Sequence, residues 1–368
     1  MPVLVMTSVG AHMWEQMKTK NFYAALLLVF VSLVAVWLVV SPAPDLHTIV
    51  SDAHKKISNL KNLRPNLKKA QEVEVDQVYL HLLGFTKNPV LFPNKVFRAT
   101  DEQLPVISSS IASGEITQAI HLLKTAHRFL PSKLVLFFDL GLDYSDLSLL
   151  RSHCNSSTSC IVKKLDFSKF PSHVEYKYMK AYRPLCIQTA LREFGSVIWV
   201  DSHMYFISDQ LNQSLTQAQD VGLAGWVISN PTSAVTHPKM FEYFKTEPDK
   251  YYFHHAVELN HIIVFNTPHI HKELMLPWVK CALTEDCINP TGAQNTGCNY
   301  RRRPFFRYSG CHHYDMSALN IILGLIFNFS SQQYAVNDGV RVFDPMYKIS
   351  ETGARNISFI GGDRYIAE

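Results

Sequence analysis

The familiar signatures of hydrolysis and phosphate binding are missing from this sequence. It has no Gly-x-Ser-x-Gly elbow, no phosphate-cradling glycine loop and no His-Glu-x-x-His helix, which removes the commonest hydrolase and nucleotidase readings. A strong net charge is missing too. The 35 Lys and Arg against 31 Asp and Glu leave a formal charge of +4. With no basic stripe interleaved with aromatics, a nucleic-acid partner has no support. The triplet Arg301-Arg302-Arg303 is too short to change that. A disordered composition is absent as well, since 47% apolar and 18% charged residues are globular proportions.

What the chain does have is one long apolar run, Phe22 to Val40, bounded by Asn21 and Ser41. Its 19 uncharged residues, at about 1.5 Å each, span a hydrocarbon core of roughly 30 Å. A cleaved signal peptide would carry only about 7–15 apolar residues before a small-residue cleavage site. Here Ser41-Pro42-Ala43-Pro44 follows instead, so an uncleaved anchor is expected. Lys18 and Lys20 before the run, with Asp45 and Asp52 after it, favour a cytosolic N-terminus, although Lys55 and Lys56 blunt the asymmetry.

Two further features place the bulk of the chain on the lumenal side. Asn155, Asn212, Asn328 and Asn356 each open an Asn-x-Ser glycosylation acceptor. Cys154 and Cys160, Cys281 and Cys287, and Cys298 and Cys311 lie close enough in sequence to close three short loops. Such loops suit an oxidising compartment, although six cysteines allow 15 connectivities. The spacings match no familiar zinc pattern, and Cys186 is left as a buried free thiol on an apolar helix face. The expected organisation is a cytosolic tail over 1–20, a transmembrane signal anchor over 21–41, a stem over 42–95 and a lumenal domain over 96–368.

From about residue 104 strand-like and helix-like segments alternate. Leu104 to Ser108 is a short β-prone run ending in Ser108-Ser109-Ser110. Ile116, Ala119, Ile120 and Leu123 lie at helical spacing within Glu115 to Phe129, and Pro131 stops that helix. Leu134 to Asp139 reads as a strand buried on both faces, Ser145 to Ser152 as a brief helix and Ile161 to Leu165 as another strand. A helix over Arg183 to Phe194, with Pro184 near its start and Gly195 at its end, leads into the apolar strand Ser196 to Asp201. This pattern predicts an α/β domain of βαβ units. Beyond it, Leu223 to Ser229 and His261 to Asn266 read as strands. Met240 to Phe244, Lys272 to Ala282 and Met316 to Asn328 read as helices.

The sharpest candidate site is Trp199-Val200-Asp201-Ser202-His203, at the carboxyl end of a buried strand, where ligands of such sheets bind. Transfer of a sugar from a nucleotide diphosphate needs a stabilised leaving group. Many such enzymes hold a Mn²⁺ or Mg²⁺ ion with two carboxylates at such a strand end, because hard ions prefer oxygen. Here His203 replaces the second carboxylate, and His312 or His313 would complete a set with Asp201 and His203. The plainer role for Asp201 is to cap the turn. Lys177, Lys180 and Arg183 precede or open the adjacent helix, where cations suit a diphosphate. Asp315 opens an almost wholly apolar helix, as a base for an acceptor hydroxyl or as the helix N-cap.

Phe137 to Leu142, the Arg183-Pro184-Leu185 helix leading into Gly195 to Asp201, and His313 to Asn320 together resemble a metazoan family of uncharacterised single-pass membrane proteins. The order of these blocks is also similar to that of the GT-A glycosyltransferases. The likeness covers roughly residues 100 to 345. It implies a GT-A-like α/β/α sandwich with a mostly parallel, Rossmann-like sheet, and a Golgi or ER location. The implied partners are a nucleotide-sugar donor and a glycan or glycoprotein acceptor. By position it implies a metal or ribose contact at Asp201, a donor-site cation at Arg183, and in Asp315 the acidic residue that the superfamily often places at the start of a late helix. The expected donor pocket is Ser108, Ser109, Lys180, Arg183 and Asp201, and the expected metal set Asp201, His203 and His313. The alternative is an inactive relative of that fold that binds a glycan or protein without turnover, as His203 in place of a carboxylate suggests.

Overall fold

In a computed structural model the described residues are 26–33, 75–96, 99–154, 158–337 and 339–346. The chain divides into two units, Met1–Glu72 and Val73–Glu368. In the first, residues 26–33 are helical and exposed. No helix among the described residues is long and apolar enough to cross a membrane, and the rest of the 22–40 run lies outside them.

The second unit is built on a six-stranded sheet. Its strands are β1 (Val106–Ile111), β2 (Val135–Asp139), β3 (Cys160–Lys164), β4 (Ser196–Val200), β6 (Leu223–Pro231) and β7 (His255–Phe265), in the spatial order β3-β2-β1-β4-β7-β6. The first four pair in parallel, while β7 runs antiparallel between β4 and β6. A separate two-stranded sheet joins β5 (Met204–Phe206) to β8 (Phe343–Pro345).

Strand parity divides the core. Leu136, Phe138, Val197, Trp199, Ile262 and Val264 point into one apolar cluster. Their neighbours Val135, Phe137, Ile198, Val200, Ile263 and Phe265 point into the other, as the period of two requires. The second cluster is covered by α2 (Ile116–Phe129), through Ala119, Leu122, Leu123 and Ala126. Its buried stripe is thus rotated slightly from the expected one, and Ile116 and Ile120 are only half-buried. The first cluster is covered by α4 (Tyr182–Phe194), α7 (Leu276–Ala282) and α9 (Asp315–Ile326). The result is an α/β/α arrangement with a mostly parallel central sheet.

α4 turns into β4 with a single residue between them. Gly195 makes that turn with φ of 78°, and a Cβ there would stand 3.0 Å from the Asn94 carbonyl oxygen, so both backbone and space require glycine. Three disulfides, Cys154–Cys160, Cys281–Cys287 and Cys298–Cys311, join the cysteines that proximity paired, and Cys186 is free and buried.

The elements depart from the sequence reading in several places. β1 runs on through all three serines to Ile111, because β2 and β4 flank it on both sides. β7 begins at His255, six residues earlier than expected, because its pairing with β6 continues past Glu258 and Asn260 through register shifts. A π-helical turn, Ile270–Met275, precedes α7. Part of the segment expected as stem packs into the main core, through Val75 and α1 (Gln77–Leu82) with Leu80, and through Leu83. Asn212 and Asn328 are exposed, while Asn155 and Asn356 lie outside the described residues.

Candidate functional site

After β1 the chain proceeds outward through β2 and β3, then returns to β4 on the other side of β1. The carboxyl ends of β1 and β4 therefore mark the switch point, where doubly wound sheets take their ligands. Glu115 ties the two ends together. Its Oε2 accepts from Ala112 N at 2.9 Å and from Ser202 Oγ at 3.1 Å.

Asp201 follows β4 and shares the parity of Trp199, so both face the layer of α4. Arg183, in the first turn of α4, meets it there. The Arg183 Nη2 atom lies 2.9 Å from Asp201 Oδ2, and Lys180 Nζ lies 3.2 Å from the same oxygen. The other oxygen, Oδ1, accepts from Trp199 Nε1 at 2.8 Å. Arg183 Nη1 lies 3.2 Å from Asp315 Oδ2 at the opening of α9, an ion pair without an aligned hydrogen bond. One guanidinium thus joins two carboxylates from distant parts of the chain. Arg183 and Asp315 are each 2% exposed and Asp201 is 6% exposed, while the Lys180 side chain, at 33%, leads from this cluster to solvent.

The two carboxyls are driven in opposite directions. Burial alone would raise Asp201, but Arg183 and Lys180 outweigh it and hold the carboxyl well below its usual range. Burial pushes Asp315 up to about 6, against the pull of Arg183 and Lys180 and with the push of Asp201. Paired groups driven apart in this way are the pattern of acid–base sites. Burial pushes His203 down to about 4 and neighbouring His261 to about 3, so both imidazoles are neutral at ordinary pH.

Of the expected site residues, Lys180, Arg183, Asp201 and Asp315 come together. Ser108 and Ser109 do not join them. They sit within β1, fully buried, and their hydroxyls have no hydrogen-bond partner among the described residues. Asp315 is not the helix N-cap; Tyr314 takes that place, with φ of 46°, and the Asp315 side chain turns to Arg183.

The expected metal set is not assembled. Both oxygens of Asp201 already accept from Arg183, Lys180 and Trp199. His313 Nε2 shares a 2.8 Å hydrogen bond with the Tyr300 hydroxyl. Among the described residues no group of three or more His, Cys, Asp or Glu is placed to hold a metal ion. Asp201, His203 and His313 therefore do not fit a Mn²⁺ or Mg²⁺ ion as placed, and two side-chain cations stand at this turn. Sequence reading missed the roles of Trp199 and Glu115. For Trp199 the signal was present, because residues i and i+2 of a strand share a face.

No protein-family model matches the sequence, and no curated protein is similar to it in sequence. In three dimensions it is similar to several solved structures. One is the apo WbbM bifunctional glycosyltransferase (TM-score 0.42, 10% identity, 64% of this chain and 39% of that one). Another is mouse xyloside xylosyltransferase 1 in its apo form (0.35, 10%, 63% and 83%). A third is core-mannan synthase A from Aspergillus fumigatus in an Mn/GDP form (0.34, 11%, 65% and 78%). The aligned region spans well under half of the WbbM chain. At such identities and TM-scores these likenesses assign neither activity nor ligand.

Proposed function

We propose that the chain is a GT-A-like glycosyltransferase that takes a nucleotide-sugar donor at the carboxyl ends of β1 and β4 and transfers the sugar to a glycan or protein acceptor. The observation that carries this reading is the cluster of Lys180, Arg183, Asp201 and Asp315 at the switch point. Buried ion pairs stabilise a fold little better than apolar residues of the same volume, so such a cluster in a ligand crevice answers a chemical demand. Lys180 and Arg183 face the diphosphate. Asp315, ionised at neutral pH yet more basic than an ordinary carboxylate, accepts the proton of the acceptor hydroxyl. That oxygen bonds to the anomeric carbon, the glycosyl C–O bond to phosphate breaks, and its electron pair leaves with the diphosphate.

The same reading places the protein as a type II membrane protein of the Golgi or ER, with Val73–Glu368 in the lumen. Its support is the uncharged run of 22–40 and three disulfides that suit an oxidising compartment. One observation favours a non-catalytic glycan- or protein-binding module instead: the oxygens of Asp201 are already engaged by the chain's own side chains.

Thermal unfolding of the full chain in detergent, with UDP, GDP or CDP and with or without Mn²⁺, tests the proposal. A nucleotide at about 100 times its dissociation constant adds roughly 2.7 kcal/mol. A shift with one nucleotide that disappears in the partly exposed Lys180→Ala variant supports the donor site. No shift with any nucleotide, in protein shown to be folded, sinks it and leaves the binding module.

A further inference from the structure

Two exposed tyrosines stand beside the buried charges. Tyr176 and Tyr178 are 50% and 53% exposed, yet their rings are stacked, with centroids 6.2 Å apart and planes 16° from parallel. Tyr178 meets the buried Tyr314 edge-on at 5.6 Å. Singly exposed aromatics are ordinary, but rings aligned into a patch mark a surface that receives something.

Chain continuity fixes where that patch lies. Only Met179 separates Tyr178 from Lys180, and Tyr314 directly precedes Asp315. Lys180 and Tyr314 both hold positive φ, at 49° and 46°, a conformation unfavourable for residues that carry a Cβ. The uncommon backbone therefore falls where the rings hand over to the charged groups. The Lys180 ammonium acts on the Asp315 carboxyl as well as on Asp201, so both ends of the tyrosine patch converge on one cluster.

A pair of exposed, near-parallel tyrosine rings suits a pyranose ring. Such a sugar presents aliphatic C–H groups on one face and hydroxyls around its rim. We propose that Tyr176 and Tyr178, with the buried Tyr314 backing them edge-on, form the acceptor-sugar shelf of the site, seating the apolar face of a pyranose and bringing one of its hydroxyls toward Asp315. The proposal rests on reading the site as a transferase. A donor nucleobase suits the patch less well. It lies a ribose and a diphosphate away from the bond that breaks, whereas Tyr314 adjoins the group that takes the proton.

The test is saturation-transfer difference NMR on the full chain in detergent, with methyl β-D-glucopyranoside, methyl β-D-galactopyranoside and methyl α-D-mannopyranoside as probes. At least one should receive saturation, strongest on the ring hydrogens of one face. The signal should fall several-fold in Tyr178→Ala and Tyr176→Ala and persist in Tyr178→Phe, because stacking needs the ring and not its hydroxyl. Both side chains are exposed, so these variants should keep the wild-type melting temperature. Absence of saturation on every glycoside overturns the shelf. So does undiminished signal in folded alanine variants, or loss of a uridine or guanosine signal in them in place of a glycoside signal. The nucleotide shift reads the donor site separately. A glycoside signal that depends on Tyr178, in a protein that no nucleotide stabilises, keeps the shelf as a saccharide site and removes the transferase reading.

Discussion

Two polar clusters are buried in the same unit, and they are finished differently. Around His254 the groups are neutral and matched. Its Nδ1 is 2.9 Å from Thr232 Oγ1 and its Nε2 is 2.8 Å from the Tyr334 hydroxyl. Nearby, Asn320 Oδ1 accepts from Val257 N at 2.6 Å, and its Nδ2 donates to Val257 O and Met316 O at 3.0 and 2.9 Å. These contacts lock α9 onto β7. The cluster of Lys180, Arg183, Asp201 and Asp315 is charged, and its Asp315–Arg183 contact lacks an aligned hydrogen bond. Neutral, saturated polarity specifies a fold at low cost. Incompletely matched charge is costly to bury, and the proposed transferase reading gives that cost a chemical reason.

The sharpest way to break this contrast is Arg183→Met, which leaves two buried carboxylates with Lys180 as the cation beside them. Removing one partner of a buried pair costs about 3–5 kcal/mol, so urea unfolding should lose that much stability and the nucleotide-induced shift should vanish. A loss below about 1 kcal/mol would mean that water reaches the carboxylates and that the cluster is less enclosed than its burial indicates. In the neutral cluster the corresponding change is Asn320→Ala. It leaves the amide and carbonyl of Val257 without that partner, at about 1–3 kcal/mol for each group left unsatisfied. The nucleotide shift should survive it. Loss of that shift in a folded Asn320→Ala protein would erase the division between the two clusters.

Half of the charged site was legible in the sequence. Asp201 ends an apolar strand and Arg183 opens an apolar helix, so periodicity places both at element ends on adjoining layers. What could not be read was their union with Asp315, which the packing of α9 against α7 and β7 brings about. The metal set failed for a related reason. It treated His203 as a stand-in carboxylate in a strand-end pattern, but the chain turns between Asp201 and Met204 (Met204 N to Asp201 O, 2.9 Å), so strand parity no longer orients it. Three of the missed elements are equally explicable. The helix α5 (Asn212–Val221) buries only Ser214 and Ala218, too little to show a stripe, and β5 and β8 span three residues each, too short for alternation to register.

Acid titration separates Asp315 from the buried histidines by the sign of its response. Asp315 has a folded value near 6, above its ordinary 3.8. The folded state holds a proton there that the unfolded chain lacks. That stabilisation is present below about 3.8 and is lost as pH rises through 6. The buried histidines run the other way. Burial takes His203 and His254 from 6.5 to about 4, and His261 and His312 to about 3. Their contribution is present above 6.5 and is lost as pH falls toward those values. Asp315→Asn removes that opposing contribution. It should steepen the acid loss between pH 6 and 4 by up to about 1.4 kcal/mol per pH unit. Urea midpoints at successive pH values check this, and an unchanged slope would mean that Asp315 is ionised in the fold throughout that range.

The smallest change is expected from Thr232→Val, which keeps the side-chain volume and removes only the hydroxyl facing His254 Nδ1. The imidazole keeps its bond to Tyr334, and burial already holds it neutral at pH 7, so no charge is exposed by the substitution. The cost is one unsatisfied ring nitrogen, about 1–2 kcal/mol, read as a lower urea midpoint with an unchanged slope in denaturant. Because neither ion pairs nor the tyrosine shelf are touched, nucleotide and glycoside binding should match wild type once each is measured well below the melting temperature. A binding defect in folded Thr232→Val protein would show that the neutral cluster transmits to the site through α9, making fold and function one network where the contacts describe two.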